Sequence, residues 1–163
     1  MPATNLLSRV VAFIYTLPKP LHRPALSRLF GSQVKFAGTA KVRVHELTQT
    51  RAVLSIANRS TVQNHIKGVH AAAMALLAES ASGFLVGMNV PDDKLPLIKT
   101  LKVDYLKRAT GALQAVASLS AEQIQTIQTQ DKGEVLVAVS VTDETGIQPI
   151  QCEMVWAWVS KKR

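Results

Sequence analysis

The hydrophobic positions of this chain change period twice. Between Ala3 and Leu17, the residues Leu6, Leu7, Val10, Phe13, Ile14 and Leu17 recur at i, i+3, i+4 and i+7 spacing. That spacing predicts an amphipathic helix, with Asn5 placed to cap it. Pro18 and Pro20 end it, and a second short helix is expected around Pro24 to Phe30, stopped by Gly31. From Val34 the period becomes two. Val34, Phe36, Val42 and Val44 alternate with polar neighbours, Thr48-Gln49-Thr50 interrupts, and Ala52 to Ala57 resumes, so the segment reads as a hairpin. A long helix is predicted from about Gly68 to Ser82, closed by Gly83. Strand-like runs follow over Phe84 to Val90, Leu97 to Leu106, Ala112 to Ser120, Glu134 to Thr142 and Ile150 to Ser160. The polar, Gln-rich stretch Ala121 to Gln130 is open between a strand and a loop extension.

From Val69 to Ala78 every residue except His70 is apolar, on all sides of the helix. Such a helix is buried on all sides. A flat sheet covers only one side, whereas a strongly curved sheet wraps the helix. The expected class is therefore α+β. A curved antiparallel sheet of about five or six strands encloses one long central helix, with an N-terminal helical arm over residues 1–33 and the enclosing domain over 34–163. Such a sheet leaves an edge strand open, so pairing with a second copy, as a homodimer or homotetramer, is expected.

The bulk numbers fit one compact domain of 163 residues, 47% hydrophobic and 18% charged. No stretch approaches the roughly 18 consecutive apolar residues of a membrane span. Val10 to Tyr15 is apolar and follows Arg9, but the run is short and Pro18 and Pro20 follow it, so a secretory signal is not the expectation; the single Cys152 permits no internal disulfide and no cysteine zinc site. A reducing, cytoplasmic setting is the simplest expectation. Charge is uneven. Residues 1–45 carry Arg9, Lys19, Arg23, Arg28, Lys35, Lys41 and Arg43 and no acid, whereas the other 118 residues hold 12 basic and 11 acidic groups. A basic arm either spreads solvated charge over a surface or meets an anionic partner, such as membrane headgroups or a nucleotide-bearing ligand. Nucleic acid is not expected, because the aromatic residues do not interleave with the basic ones as stacking platforms.

Candidate chemistry concentrates between Asn64 and Glu79. Glu79 is a carboxylate deep inside an apolar helical run, a costly placement unless the group is paired or used. Asn64, His65, Gly68 and His70 sit where that helix begins. A carboxylate and a helix N-terminus together can activate a nucleophile and polarise a carbonyl.

The spacing of Asn64, His70 six residues later and Glu79 nine beyond that resembles the signature of hotdog-fold acyl-CoA thioesterases of the phenylacetate-pathway (PaaI-like) type. Val103-Asp104-Tyr105-Leu106-Lys107-Arg108 is similar to a strand shared by those proteins, and the resemblance covers roughly residues 34–160. It is strongest to a poorly characterised, thioesterase-like branch, a domain of unknown function. The resemblance implies a hotdog fold, a coenzyme A thioester as substrate, no metal or other cofactor, and an acid from one subunit meeting surroundings from another. Two departures stand out. The resembled His-Gly-Gly step is His70-Ala71-Ala72 here, and the acid is Glu rather than Asp.

The Ala71 N–H, in the first helical turn, would stabilise the oxyanion with help from the helix dipole. Glu79 would act as general base for water or as nucleophile; alternatively it reaches solvent as an ordinary helix residue. Asn64 would orient the water or carbonyl, or it is a turn or cap residue. Gly68 lies between His65 and His70, which would hold substrate or fix the loop, and those two histidines are not expected to bind metal. Lys107 and Arg108 would meet coenzyme A phosphates or end a strand in solvent. Met154, Trp156 and Trp158 are expected on the inner face of the last strand, with one Trp as an alternative tunnel wall. Hydrolysis of an acyl-CoA thioester is the leading expectation; binding an acyl or fatty-acid-like ligand without turnover is the alternative, motivated by Ala71-Ala72.

Overall fold

The structure is a computed structural model that describes residues 5–161, so the expected helix start at Ala3 lies outside the described residues. The arm is helical. α1 spans Leu6–Thr16, α2 spans Lys19–Gln33 and a one-turn α3 spans Lys35–Thr39. Asn5 caps α1 as its position predicted: its side chain accepts from Ser8 N–H at 2.8 Å, and Ser8 Oγ accepts from Asn5 N–H. The Asn5 amide also donates to the Gly87 and Val90 carbonyls, tying the arm to the far end of the central helix.

The sheet has six antiparallel strands: β1 (Arg43–Leu47), β2 (Arg51–Ile56), β3 (Lys94–Tyr105), β4 (Leu113–Ser118), β5 (Gly133–Asp143) and β6 (Ile150–Ser160). Their order across the sheet is β1-β2-β4-β5-β6-β3. The central helix α4 (Ala71–Gly87) lies against it, with Leu77, Ala78, Ala81, Leu85 and Val86 fully buried. Met154, Trp156 and Trp158 of β6 face the same core, as their alternation predicted. This is the hotdog arrangement expected from the sequence.

Four local expectations give way. Gly31 does not stop α2, because a Cβ there would lie 3.2 Å from Gly38 Cα; the residue permits close approach inside the helix. Residues 34–39 form no strand. Gly38 packs on Gly31, Lys41 takes φ of 53°, and the sheet starts only at Arg43. Gly83 does not close α4, which runs on to Gly87 through the stretch read as a strand. A short run that is apolar on all sides has no period to separate a buried helix from a buried strand. Finally, Ala121–Thr129 is a helix, α5, opened by a capping box between Ser120 and Gln123.

The two sheet edges are treated differently. The arm blunts the β1 edge: Val44 N–H donates to Ser27 Oγ at 2.9 Å and Leu47 N–H to Tyr15 Oη at 3.0 Å. No element of the described residues pairs with the outer edge of β3. Pairing with β6 places Ile98, Leu101 and Tyr105 on the same face as the buried Trp156, Met154 and Ile150. An irregularity at Lys99 keeps Ile98 and Leu101 on that face. Yet Ile98, Leu101 and Tyr105 are exposed, so α4 covers the inner face of β3 only in part.

Candidate active site along the central helix

The helix start is built by a closed loop. Asn64 N–H donates to the Gly68 carbonyl, and Asn64 Oδ1 accepts from the N–H groups of Ile66 and Gly68 at 3.1 Å each. This is an Asx turn, with Lys67 at φ of 62° as its corner. Asn64 therefore shapes the loop, and its Nδ2 is the part left for a ligand. Gly68 has ordinary space around a hypothetical Cβ, so its place in the site is through its backbone. His65 is exposed on this loop.

His70 is the N-cap of α4. Its N–H donates to the Val62 carbonyl at 2.8 Å, and its Nδ1 accepts from the Ala72 N–H at 3.0 Å. An accepting Nδ1 leaves Nε2 as the ring's N–H, on a side chain that is exposed. The capping consumes one first-turn donor. No acceptor among the described residues takes the Ala71 N–H, which remains free at the positive end of the helix dipole. Beside it, Phe36, Thr39, Val62, Ala73 and Leu76 line a mainly apolar cleft of about 310 Å³ that reaches His70 and Ala72.

In the sequence pattern Tyr105 is only one residue of a strand. In the fold its Oη donates to the Ala71 carbonyl at 2.9 Å, so β3 pins the first residue of α4. The exposed Arg108 donates to the Ile66 carbonyl at 3.3 Å, holding the Asx loop from the other side. The exposed Lys107 has only its backbone tied, to the Pro149 carbonyl. Tyr105 carries no sequence signal for its contact with Ala71, because the two residues meet only through the tertiary packing of β3 on α4.

Glu79 lies two helical turns further on. It is half-buried, and its stripe on α4 is Ala72, Ala75, Glu79 and Gly83, none of them fully buried. Burial raises the Glu79 carboxyl above the ordinary range, and a long hydrogen bond from Ser80 Oγ at 3.5 Å pulls weakly the other way. Glu79 therefore stands at the partly exposed margin of α4 rather than in a closed core. Its backbone is fixed: Ser82 Oγ donates to the Glu79 carbonyl at 2.9 Å, and Trp156 Nε1 donates to Ser82 Oγ at 2.9 Å. Gly83 makes room for that indole, since a Cβ there would come within 2.5 Å of two Trp156 ring carbons.

One distance governs what this arrangement can do. Ala71 and Glu79 are eight residues apart on one helix, about 12 Å along its axis. A reacting carbonyl must lie about 3 Å from both its oxyanion donor and its attacking group. The Ala71 N–H and the Glu79 carboxyl of one chain cannot meet one carbonyl. Among the described residues no group of three or more His, Cys, Asp or Glu is placed to hold a metal ion.

Comparison with known proteins agrees with this fold. A Pseudomonas aeruginosa protein of unknown function, described as a "Probable Thioesterase", is similar over 89% of this chain and 97% of its own, at 24% identity and a TM-score of 0.76. A second P. aeruginosa protein, a mutant thioesterase, is similar over 82% of this chain and 94% of its own, at 14% identity and a TM-score of 0.68. A mutant thioesterase enzyme from Staphylococcus aureus is similar over 77% of this chain and 98% of its own, at 13% identity and a TM-score of 0.66. At these identities the likeness establishes the fold. No curated protein matches the chain by sequence. The family described as a domain of unknown function, DUF4442, matches residues 22–159, and the chain belongs to that family.

Proposed function

We propose that this protein is a homo-oligomeric thioesterase that hydrolyses an acyl-CoA to a carboxylic acid and free coenzyme A. The observation that carries the reading is the pair of separated groups on α4: a free helix N-terminal N–H at Ala71, and a half-buried carboxylate of raised pKa at Glu79. In this reading the two groups at one carbonyl come from two chains. A copy seated by two-fold symmetry on the open β3 edge would cover Ile98, Leu101 and Tyr105 and would supply the second chain; the exposure of those side chains supports this placement. The likeness in fold to proteins named thioesterases supports the same reading.

In this reading the thioester carbonyl oxygen accepts from the Ala71 N–H, and the helix dipole stabilises the charge that grows on it. Glu79 of the other chain takes a proton from water as the water oxygen bonds to the carbonyl carbon. The C–S bond then breaks, and the proton held by Glu79 passes to the departing sulfur. Direct attack by Glu79, giving an anhydride that water then opens, uses the same geometry. His70 Nε2, Asn64 Nδ2 and His65 border the acyl or thiol side, while Lys107 and Arg108 are within the region where phosphates of coenzyme A would lie.

Binding of an acyl ligand without turnover is favoured by one observation: His70 occupies the Ala72 N–H, leaving a single free donor at the helix start. A panel of acyl-CoA substrates assayed for free thiol separates the two readings. Thiol release by the parent and its loss in Glu79→Gln, with an unchanged circular dichroism spectrum, is the expected result. Undiminished release in Glu79→Gln refutes the role of Glu79, and thermal stabilisation by acyl-CoA without any thiol release supports the binding protein instead.

A further inference from the structure

Exposed large apolar side chains gather in two places, and the charges around them differ. On β3, Leu97, Ile98 and Leu101 are flanked by both signs, with Lys99 bonded to Glu134 and Lys102 to Asp104. A surface of mixed sign can meet a copy of itself. The second group, Leu6, Phe13, Leu21 and Phe36, lies on the helical arm, where Phe13 is 65% exposed and Phe36 63%. Residues 5–45 carry seven basic side chains and no acid. Asp92 meets Arg9, but no carboxylate among the described residues pairs with Lys19, Arg28 or Lys35. A two-fold contact through this face would set like charge against like charge. Its partner is therefore anionic.

The face is shaped for apolar insertion. Leu6, Val10 and Phe13 follow one another at i, i+4 and i+7 on α1. An apolar groove of about 310 Å³ is lined by Leu6 and Val10 of α1, Leu29 of α2, Val34 just after α2, and Phe84 of α4. Arg28 and Lys35 are chain neighbours of the lining residues Leu29 and Val34, and both are exposed. Among the described residues no helix is long and apolar enough to cross a membrane. A two-helix surface of bulky apolar residues bordered by cations fits a bilayer interface better than the pocketed surface of an acidic protein.

We propose that the arm docks this protein on an anionic phospholipid surface. Leu6, Phe13 and Leu21 enter the boundary between headgroups and acyl chains, and Arg28 and Lys35 meet lipid phosphates. This inference stands independently of thioester hydrolysis.

The test is cosedimentation of the full chain with vesicles of phosphatidylcholine alone or mixed with phosphatidylglycerol. Sedimentation with the mixed vesicles only, weakened by added salt, is expected. Arg28→Gln and Lys35→Gln each lower the partition coefficient about fivefold. Phe13→Ser lowers it further, and the triple variant that combines the three substitutions lowers it most, with unchanged circular dichroism and melting temperature. Several results overturn the proposal: no sedimentation with anionic vesicles, which would leave the face to an acidic protein; equal sedimentation with both vesicles; or binding undiminished in the triple variant. A fall in the molar mass of the triple variant by light scattering would also overturn it, because the face would then be a contact between copies.

Discussion

Replacing Gly83 by Ala puts a methyl group where the Trp156 indole lies, 2.5 Å from both Cζ2 and Cη2. Carbon atoms in contact normally stand about 3.5–4.0 Å apart, so the ring or the helix has to move by about 1 Å or more. Overpacking of this kind costs about 1–3 kcal/mol. Tilting the indole also strains the Trp156 Nε1 bond to Ser82, worth about 1 kcal/mol. Against this, Ala is the better helix former by about 1 kcal/mol. The net expectation is a loss of about 1–3 kcal/mol, which for a chain of this length lowers the melting temperature by roughly 2–10 °C. Gly87→Ala is the internal control. The only atom a Cβ would meet there is Leu7 Cδ2 at 3.4 Å, so its effect stays within about 1 kcal/mol. Thermal and urea unfolding followed by tryptophan fluorescence, at one protein concentration, measures both variants. A Gly83→Ala protein as stable as its parent, or one that loses no more than Gly87→Ala, refutes the packing argument.

Other outcomes follow from the same structure. Because burial raises the folded-state pKa of Glu79, its contribution to stability is fully present below the ordinary Glu pKa of about 4.3 and is lost as pH rises through the raised value. The parent should therefore lose stability relative to Glu79→Gln on titration towards neutral pH; a stability difference flat with pH contradicts this. For the same reason the acid limb of the thioesterase pH–rate profile should lie above the ordinary Glu pKa, and a limb at about 4.3 would show an unperturbed carboxyl. Tyr105→Phe removes the bond to the Ala71 carbonyl and should cost about 0.5–1 kcal/mol by urea unfolding, with a larger proportional fall in turnover than in stability. Leu101→Lys places a charge on the open face of β3 and should lower the molar mass of the assembly by light scattering; an unchanged mass moves the copy contact elsewhere.

Much of this architecture was legible because it depends on period. The amphipathic stripe of α1, the all-round apolarity of α4 and the alternation in β6 each reflect how many sides an element buries. Gly31 and Gly83 misled for a physical reason. A glycine marks either a helix end or a place where another group comes close, and the sequence does not record the approaching Gly38 backbone or Trp156 ring. The helix α5 was signalled after all, by Ser120 and Gln123 at capping-box spacing ahead of Ile124 and Ile127. At the site, spacing along the chain brought out Asn64, His70, Ala71 and Glu79. It could not show that Asn64 is used by its own loop, that His70 spends Nδ1 on Ala72, or that Tyr105 crosses from β3 to hold Ala71. Those are contacts between segments, and only the fold supplies them.

Subunit complementation tests the shared site most directly. Ala71 is the first residue of α4, where proline is tolerated, and His70 at φ −63° and ψ 144° already has the backbone a following proline demands. Ala71→Pro therefore deletes the proposed donor and keeps the helix, and on its own it should reduce thiol release by about 10²–10³-fold. Glu79→Gln disables the other half. Unfolding the two variants together and refolding them as a mixture forms hybrid dimers that hold one intact site each, so release should return to about a quarter of the parent rate. A mixture that stays as inactive as its two components would contradict a site divided between two chains.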